Sequence, residues 1–423
     1  MQKSVQNNRS TYNPKVHELA NGVRVVCDTV TSVDSCAVGV FVGTGTRDDP
    51  KGLGGTAHFV EHTSFRRTTT KNSKAIAREF ENVGAYANAY TTKEETSYYV
   101  RALRQSVPKV FATLADVIIN PVFDAADVEK ERLIISEEIR SYEDEAEEFI
   151  LDAAEQQIFN AHPLGLPIVG TLKSVSRISS TSLQKFHKAH YNASNIVVCA
   201  SGNVQPQELI ELTEKLFSGL PRSNKHVKRL SPKRLKPSEL IFHKPLQQTH
   251  IAWHTQTSGF RSRSNSKLML LNIILGDGMM SRLNVRIREG KGLAYNIYSQ
   301  LQTFSDCGIF SVYAGTEVAS AGKAQLMIEQ ELNRLAMNGV TRTELVRAKE
   351  QLRAGKIMSL ESLSARLSML GRGVLEDGKP EDPYKFIHAA DKVTLEEVNE
   401  IARKILRSDS WSKCVIVPGK SEE

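Results

Sequence analysis

The sequence is poor in everything that staples, exports or anchors a chain. Its five cysteines, Cys27, Cys36, Cys199, Cys307 and Cys414, are scattered, odd in number and without a CxxC pair. Such a count fits reduced, buried thiols, and the chain is expected to fold without disulfides. No stretch approaches eighteen uninterrupted apolar residues, and the first residues, MQKSVQNNRSTYNP, contain no apolar h-region, so neither a membrane span nor a secretory signal is expected. The expected compartment is the cytoplasm. The mitochondrial matrix is the alternative, because the first thirteen residues carry basic and no acidic groups.

What is present is ordinary in bulk. A hydrophobic fraction of 40% and a charged fraction of 24% exclude a disordered or collagen-like chain. At 423 residues the chain exceeds what one hydrophobic core usually holds, so two or more domains are expected. The net charge of +7 comes from basic residues interleaved with carboxylates along the whole length, and no nucleic-acid partner is expected from it. The densest basic stretch, PRSNKHVKRLSPKRLKPSE at 221–239, has prolines and no apolar period, and reads as a solvated linker.

Periodicity organises the rest. GVRVVCDTV (22–30) and SCAVGVFVGTG (35–45) alternate as strands, a helix starts at about Gly55, and a second runs from about Ser73 to Val83. AYANAY (85–90), the turn TTKEE and TSYYVRAL (96–103) form a hairpin, followed by two long helical stretches. The half closes with the helix TSLQKFHKAHY, where Thr181 and Gln184 have capping-box spacing, and the strand NIVVCASG (195–202). The second half repeats the order. It has a strand THIAWHTQT (249–257), a helix SKLMLLNIILGDGMMSRL (266–283) and hairpin strands AYNIYSQL and GIFSVYAG. It closes on a helix capped by Thr394 and Glu397 and the strand WSKCVIVPG (411–419). The pattern predicts an α+β fold of two tandem homologous domains, each a mainly antiparallel sheet packed with helices, at 1–220 and 240–423 around the 221–239 linker.

The first half contains HFVEH, with His58, Glu61 and His62. On a helix, positions i, i+3 and i+4 share a face, so both imidazoles can reach one ion while Glu61 points into the same space. The arrangement is the inverse of HExxH, the inverzincin motif. A catalytic zinc needs a third protein ligand with one position left for water. In DVEKERLIISEEIRSYEDE, starting at Asp127, Glu131 and Glu138 lie seven residues apart and so on one helix face, while Glu137 points away from it. These two carboxylates are the inward candidates. Periodicity alone does not bring their helix to HFVEH, and a salt-bridged helix surface is the plainer reading of the carboxylates by themselves.

GLGGTAHFVEHTSF (52–65) followed by ERLIISEEI (131–139) resembles the pitrilysin and mitochondrial processing peptidase family of zinc proteases, in its short two-domain bacterial form. The likeness continues through NAYTTKEETSYYV, through GDGMMSRLNVRIREGKGLAYNIYS and through the duplication, and so covers nearly the whole chain. TSFRRT, after the motif, departs from the more usual methionine and lysine-glycine pattern. The resemblance implies one zinc per chain, held by His58, His62 and Glu138, with Glu131 as a supporting carboxylate. It implies a zinc endopeptidase acting on short or unfolded polypeptides, with Glu61 as general base on a zinc-bound water and as proton donor to the leaving nitrogen. Asn88, Ala89 and Tyr90 would hold an extended substrate strand, and Arg288 and Tyr295 would bind substrate and steady the oxyanion. Without the resemblance, Ala87 and Ala89 are equally well small residues under close packing, and Arg288 is an ordinary surface arginine.

No histidine occurs between His254 and His388, so the second half cannot carry another HxxEH site and is a partner domain. Chains of this length in the resembled family form half of a clam-like chamber and pair with a second chain. Because this chain has both the zinc motif and the arginine–tyrosine pair, a homodimer is expected. Two alternatives are a catalytic subunit needing a different partner chain and a non-catalytic scaffold of the same fold.

Overall fold

The computed structural model describes residues 12–223 and 229–419. In chain order the first half contains β1 (Val16–Glu18), β2 (Arg24–Thr29), β3 (Ser35–Val42), α1 (Thr56–Ser64), α2 (Ser73–Glu81), β4 (Tyr86–Thr91) and β5 (Thr96–Leu103). It continues with α3 (Val107–Ile119), α4 (Ala125–Asp144), α5 (Ala146–Phe159), α6 (Leu172–Val175), α7 (Ser180–His190), β6 (Ile196–Gly202) and α8 (Pro206–Phe217). The second half contains β7 (Glu239–Lys244), β8 (Gln248–Ser258), α9 (Asn265–Leu275), β9 (Asn296–Thr303), β10 (Cys307–Glu317) and α10 (Ala321–Asn338). It ends with α11 (Arg342–Ser359), α12 (Leu363–Asp377), α13 (Pro383–Lys392), α14 (Leu395–Ile405) and β11 (Ser412–Pro418).

The strands form two sheets, ordered β1-β2-β6-β3-β5-β4 and β7-β11-β8-β10-β9. The duplication is visible strand by strand. β2 and β6 pair in parallel, as β7 and β11 do, and every other pair in both sheets is antiparallel. β1 is the one strand of the first sheet without a counterpart in the second. Among the described residues, alternation thus predicts nine of the eleven strands; β1 and β7 were not expected from the sequence.

Two compact units emerge, and neither is continuous in sequence. The first comprises Met1–Ile139, Pro167–Arg229 and Ile357–Tyr384, the second Arg140–Leu166, Leu230–Lys356 and Lys385–Glu423. This grouping differs from the sequence division at 220 and 240 by two exchanged segments. Both faces of each sheet are apolar, so each needs two helical covers. In the first unit Val38, Val40 and Val42 of β3 face a large core with α3 and α8, while Ala37 and Phe41 face Leu367, Leu370 and Val374 of α12. In the second unit Ala252 of β8 and Cys414 and Ile416 of β11 are covered by Ala146, Ile150, Ala153 and Ala154 of α5. Each half therefore lends one helix to the sheet of the other. The expected unpaired thiols are found, since all five cysteines are free and buried.

Local signals resolve differently at two places. The α7 cap is Ser179, whose hydroxyl accepts from Ser182 N while its own amide donates to Ser182 Oγ, so Thr181 falls inside the first turn instead of capping it. Overlapping Ser/Thr positions in ISSTSLQ make both frames available, and the earlier one adds helical residues. The helix expected over 266–283 stops at Leu275. A Cβ on Gly276 would lie 2.2 Å from Ser299 N, and Gly278 takes a φ of +129°, so this close approach and left-handed turn break the helix. Among the described residues no helix is long and apolar enough to cross a membrane.

Candidate metal centre

α1 is built to present one polar face. Its Ala57, Phe59 and Val60 are sealed in the core of the first unit, which turns His58, Glu61 and His62 to the other side of the helix. The helix starts at Gly55, with φ of +90° and a Cβ position only 2.7 Å from Val169 O, so only glycine permits this entry. No N-cap side chain serves it. Asp49 does that work from upstream, its two oxygens accepting from Gly55 N at 2.7 Å and Ala57 N at 2.8 Å; these bonds offset only part of the burial that pushes its pKa up to about 8.

α4 supplies the carboxylates. Val128, Ile135 and Ile139 anchor its inner face in the same core, and Glu131 lies among them, also buried. Glu138, one residue before Ile139, is partly exposed. His58 Nε2 is 3.7 Å and His62 Nε2 3.6 Å from Glu138 Oε2. These distances are too long for hydrogen bonds, so three polar atoms converge without bonding one another. Zinc–ligand bonds of ~2.0–2.1 Å in a tetrahedron put ligand atoms about 3.3 Å apart, and two imidazoles with one carboxylate are a donor set that a catalytic zinc takes. The residues fit the ion. Among the described residues this is the one group of three or more such side chains whose ligand atoms lie within 4.8 Å of each other. Sequence periodicity alone had left Glu138 undecided between ligand and surface charge; the fold brings it to HFVEH.

The two histidines differ in environment. Burial, helped by the charge of His62, holds the His58 imidazole down at about 3, so it is the neutral form that ligates metals. Its Nδ1 is buried without a hydrogen-bond partner. Burial also works against a charged His62, but the Glu131 bond and the charges of Glu61, Glu138 and Glu131 outweigh it and raise its pKa. His62 Nδ1 lies 3.0 Å from Glu131 Oε2, leaving Nε2 toward Glu138. Burial raises the pKa of Glu138 against the opposing pull of His62. Glu61 is likewise raised by burial, with the Thr91 hydroxyl and His62 lowering it and Glu138 adding to the rise. Thr91 Oγ1 donates to Glu61 Oε2 at 2.6 Å.

β4, which carries Asn88, Ala89 and Tyr90, is the last strand of its sheet, paired with β5 on one side only. Asn88 is exposed, with Ala89 and Tyr90 partly so. The Tyr90 hydroxyl donates to Glu95 Oε1 at 3.3 Å, and Arg372 of α12 binds the same oxygen at 2.6 Å. In the second unit, Arg288 sits in a π-helical turn at Asn284–Glu289 and is 51% exposed in its side chain. Tyr295, 61% exposed, donates its hydroxyl to Glu317 Oε1 at 2.7 Å. Three residues that serve the centre were not foreseen: Asp49, Thr91 and Arg66, the last bonded through Nε to Glu131 Oε1. Asp49 and Thr91 lie outside α1, and Arg66, although four residues after His62, falls beyond the helix end at Ser64, so periodicity offers no secure signal for them.

Comparison with known proteins gives a consistent set of relatives. A family model described as insulinase (peptidase family M16) matches residues 24–172, and one described as the peptidase M16 inactive domain matches residues 177–352. An "uncharacterized zinc protease" of Mycobacterium bovis is 36% identical over 97% of this chain and 94% of that protein. Another, of Bacillus subtilis, is 32% identical over 93% of this chain and 96% of that protein. Among solved structures, a peptidase M16 inactive domain from Pseudomonas fluorescens has a TM-score of 0.90 at 20% identity, covering 97% of this chain and 99% of that one. A protease from Helicobacter pylori has a TM-score of 0.89 at 21% identity, covering 96% and 100%. At those identities the structures speak for the fold alone.

Proposed function

The chain belongs to peptidase family M16, and on that premise we propose that it is a zinc-dependent endopeptidase cutting short or unfolded polypeptides. The observation that carries the reading is the convergence of His58 Nε2, His62 Nε2 and Glu138 Oε2 at non-bonding distances beside the buried Glu61 carboxylate. The zinc-protease names of the full-length relatives support it.

A zinc ion at this point supplies a Lewis acid that acidifies a water and polarises a peptide carbonyl. The remaining work falls to the chain. Glu61 is the base, and its raised pKa suits it both to accept a proton and to hand it on. Thr91 occupies Oε2, which leaves Oε1 as the oxygen that exchanges the proton, first taken from the attacking water and then returned to the departing amide nitrogen. The free side of β4 offers main-chain groups to an extended peptide, a mode of grip that is indifferent to side-chain identity. Arg288 and Tyr295 contribute a cation and a phenol for the charge that develops on the carbonyl oxygen. In this reading they reach the site from a second copy of the chain, and the second half, without an HxxEH motif, serves as their support. Free, buried cysteines support a reducing compartment such as the cytoplasm.

The test is digestion of a mixed peptide library by the purified chain, with and without a chelator, alongside zinc stoichiometry. Glu61→Gln should abolish cleavage and keep the ion. His58→Ala, His62→Ala and Glu138→Gln should each lose the ion, while Glu137→Gln, exposed on α4, leaves both properties intact. Cleavage that survives Glu61→Gln above a few per cent of wild type overturns the assignment of the base, and a silent Glu138→Gln overturns the ligand set.

A further inference from the structure

Arg66 stands in TSFRRT, the segment that departs from the usual pattern after the motif. Its backbone is fixed just beyond α1 by Arg66 N donating to Thr63 O at 3.0 Å. From there its Nε donates to Glu131 Oε1, while His62 Nδ1 takes Oε2 at 3.0 Å. The side chain of Glu131 is 3% exposed, against 33% for Arg66. A carboxylate so buried is tolerated only when its charge is compensated and its oxygens are bonded. Here each oxygen has one partner, and the two partners have different chemistry.

That division has a consequence for the ion. Glu131 lies on the same face of α4 as Glu138, two turns earlier, and is already in contact with His62. A carboxylate in that position, free to rotate, has two choices: to orient the imidazole or to compete for the ion itself. We propose that Arg66 is a positioning residue of the metal centre, which holds Glu131 Oε1 so that Oε2 stays on His62 Nδ1 and Glu131 does not become a ligand. The chain Arg66–Glu131–His62 then fixes the orientation in which His62 presents Nε2 to the ion. Outer partners of this kind are known to tune metal sites as strongly as some ligands do. The inference rests on the zinc reading above.

The experiment is equilibrium zinc competition against a chromogenic chelator at constant pH, on the full chain and on Arg66→Met, Arg66→Lys, Glu131→Gln and the double variant Arg66→Met/Glu131→Gln. Cobalt-substituted protein adds a visible spectrum that reports coordination without any turnover. Arg66→Met should weaken zinc binding by roughly 10–100-fold, the usual range for losing an outer partner, and should change the intensity of the cobalt bands. Arg66→Lys, which keeps a cation but not the planar fork, should retain most of the affinity. Because Arg66 acts through Glu131, the double variant should bind no more weakly than Glu131→Gln alone. Arg66→Met binding within twofold of wild type, or a double variant whose losses simply add, overturns the proposal. Wild-type protein that takes up no zinc, or takes it up unaffected by His58→Ala, overturns the zinc reading and this inference with it. Normal wild-type binding with an unaffected Arg66→Met overturns the inference alone.

Discussion

Thr91 gives its hydroxyl hydrogen to Glu61 across 2.6 Å, so the last residue of the edge strand fixes the carboxylate proposed as the base. A hydrogen bond to a charged group is worth ~1.5–3 kcal/mol. Thr91→Val keeps the shape and removes the donor, and kcat should fall by roughly tenfold or more with KM and zinc content unchanged. Thr91→Ser restores the donor and should recover most of the rate. A valine variant within twofold of wild type in kcat would show that Glu61 is oriented by something else.

The proposed placement of Arg288 and Tyr295 in a second copy predicts complementation. A Glu61→Gln chain and an Arg288→Ala/Tyr295→Phe chain, each nearly inactive alone, should regain activity when mixed and allowed to exchange. Equal amounts produce about half mixed dimers, each with one complete site, so recovery should approach roughly a quarter of wild type for independent sites in a symmetric dimer. Verified exchange without recovery means that the pair acts within its own chain or takes no part in catalysis.

Glu344 ties down the segment that leads to the Arg288 turn. It receives Arg282 Nε at 2.7 Å and Nη2 at 2.9 Å, together with Thr341 N and Oγ1 at 2.7 and 2.8 Å. Burial opposes its charge, but these bonds outweigh burial and hold its pKa at about 2. The folded value lies below the ordinary glutamate value, so the stabilisation is fully present above that ordinary value and is lost as the pH falls through about 2. Glu344→Gln should therefore lower stability at pH 7 by ~1.5–3 kcal/mol, the scale of a charged hydrogen bond, and the deficit should shrink steadily on acidification below pH ~4.5. Both tryptophans, Trp253 and Trp411, lie in the second unit, so denaturant titrations followed by their fluorescence read this unit. A deficit independent of pH contradicts the prediction.

Gly371 reverses a common expectation. Replacing a glycine inside a helix by alanine ordinarily stabilises by up to ~1 kcal/mol. On α12, however, a Cβ at Gly371 would lie 2.4 Å from the Phe41 ring. Gly371→Ala should instead destabilise the first unit by ~1–3 kcal/mol, the usual cost of overpacking. Amide exchange of β2, β3 and β6 is the readout; slower exchange in the variant contradicts the packing argument.

What could be read from sequence was what repeats locally. The relation among His58, Glu61 and His62 is fixed by 3.6-residue periodicity, as is that between Glu131 and Glu138, and alternation marked most strands. What joined the two helices was the resemblance, since helical geometry says nothing about which helix meets which. Thr91 and Asp49 reach the site from other segments, and Arg66 lies past the end of α1 at Ser64, where helical spacing no longer fixes direction. β1 is three residues long, and β7 follows directly on a proline-containing basic stretch that hides its alternation. The destinations of α5 and α12 were equally hidden, because an apolar helix face does not say which sheet it will cover.

The exchange of α5 and α12 bears on how the protein is made. Synthesis proceeds from the amino terminus, and early segments generally fold first. The sheet that carries β2, β3 and β6 is complete by Gly202, yet the helix that covers Val26, Phe41 and Val197 ends at Asp377. While the ribosome translates the intervening residues, an apolar sheet face waits for its cover. The nascent chain thus passes through a long interval in which it needs protection from aggregation, and the half that carries HFVEH is the first to be made and among the last to be finished.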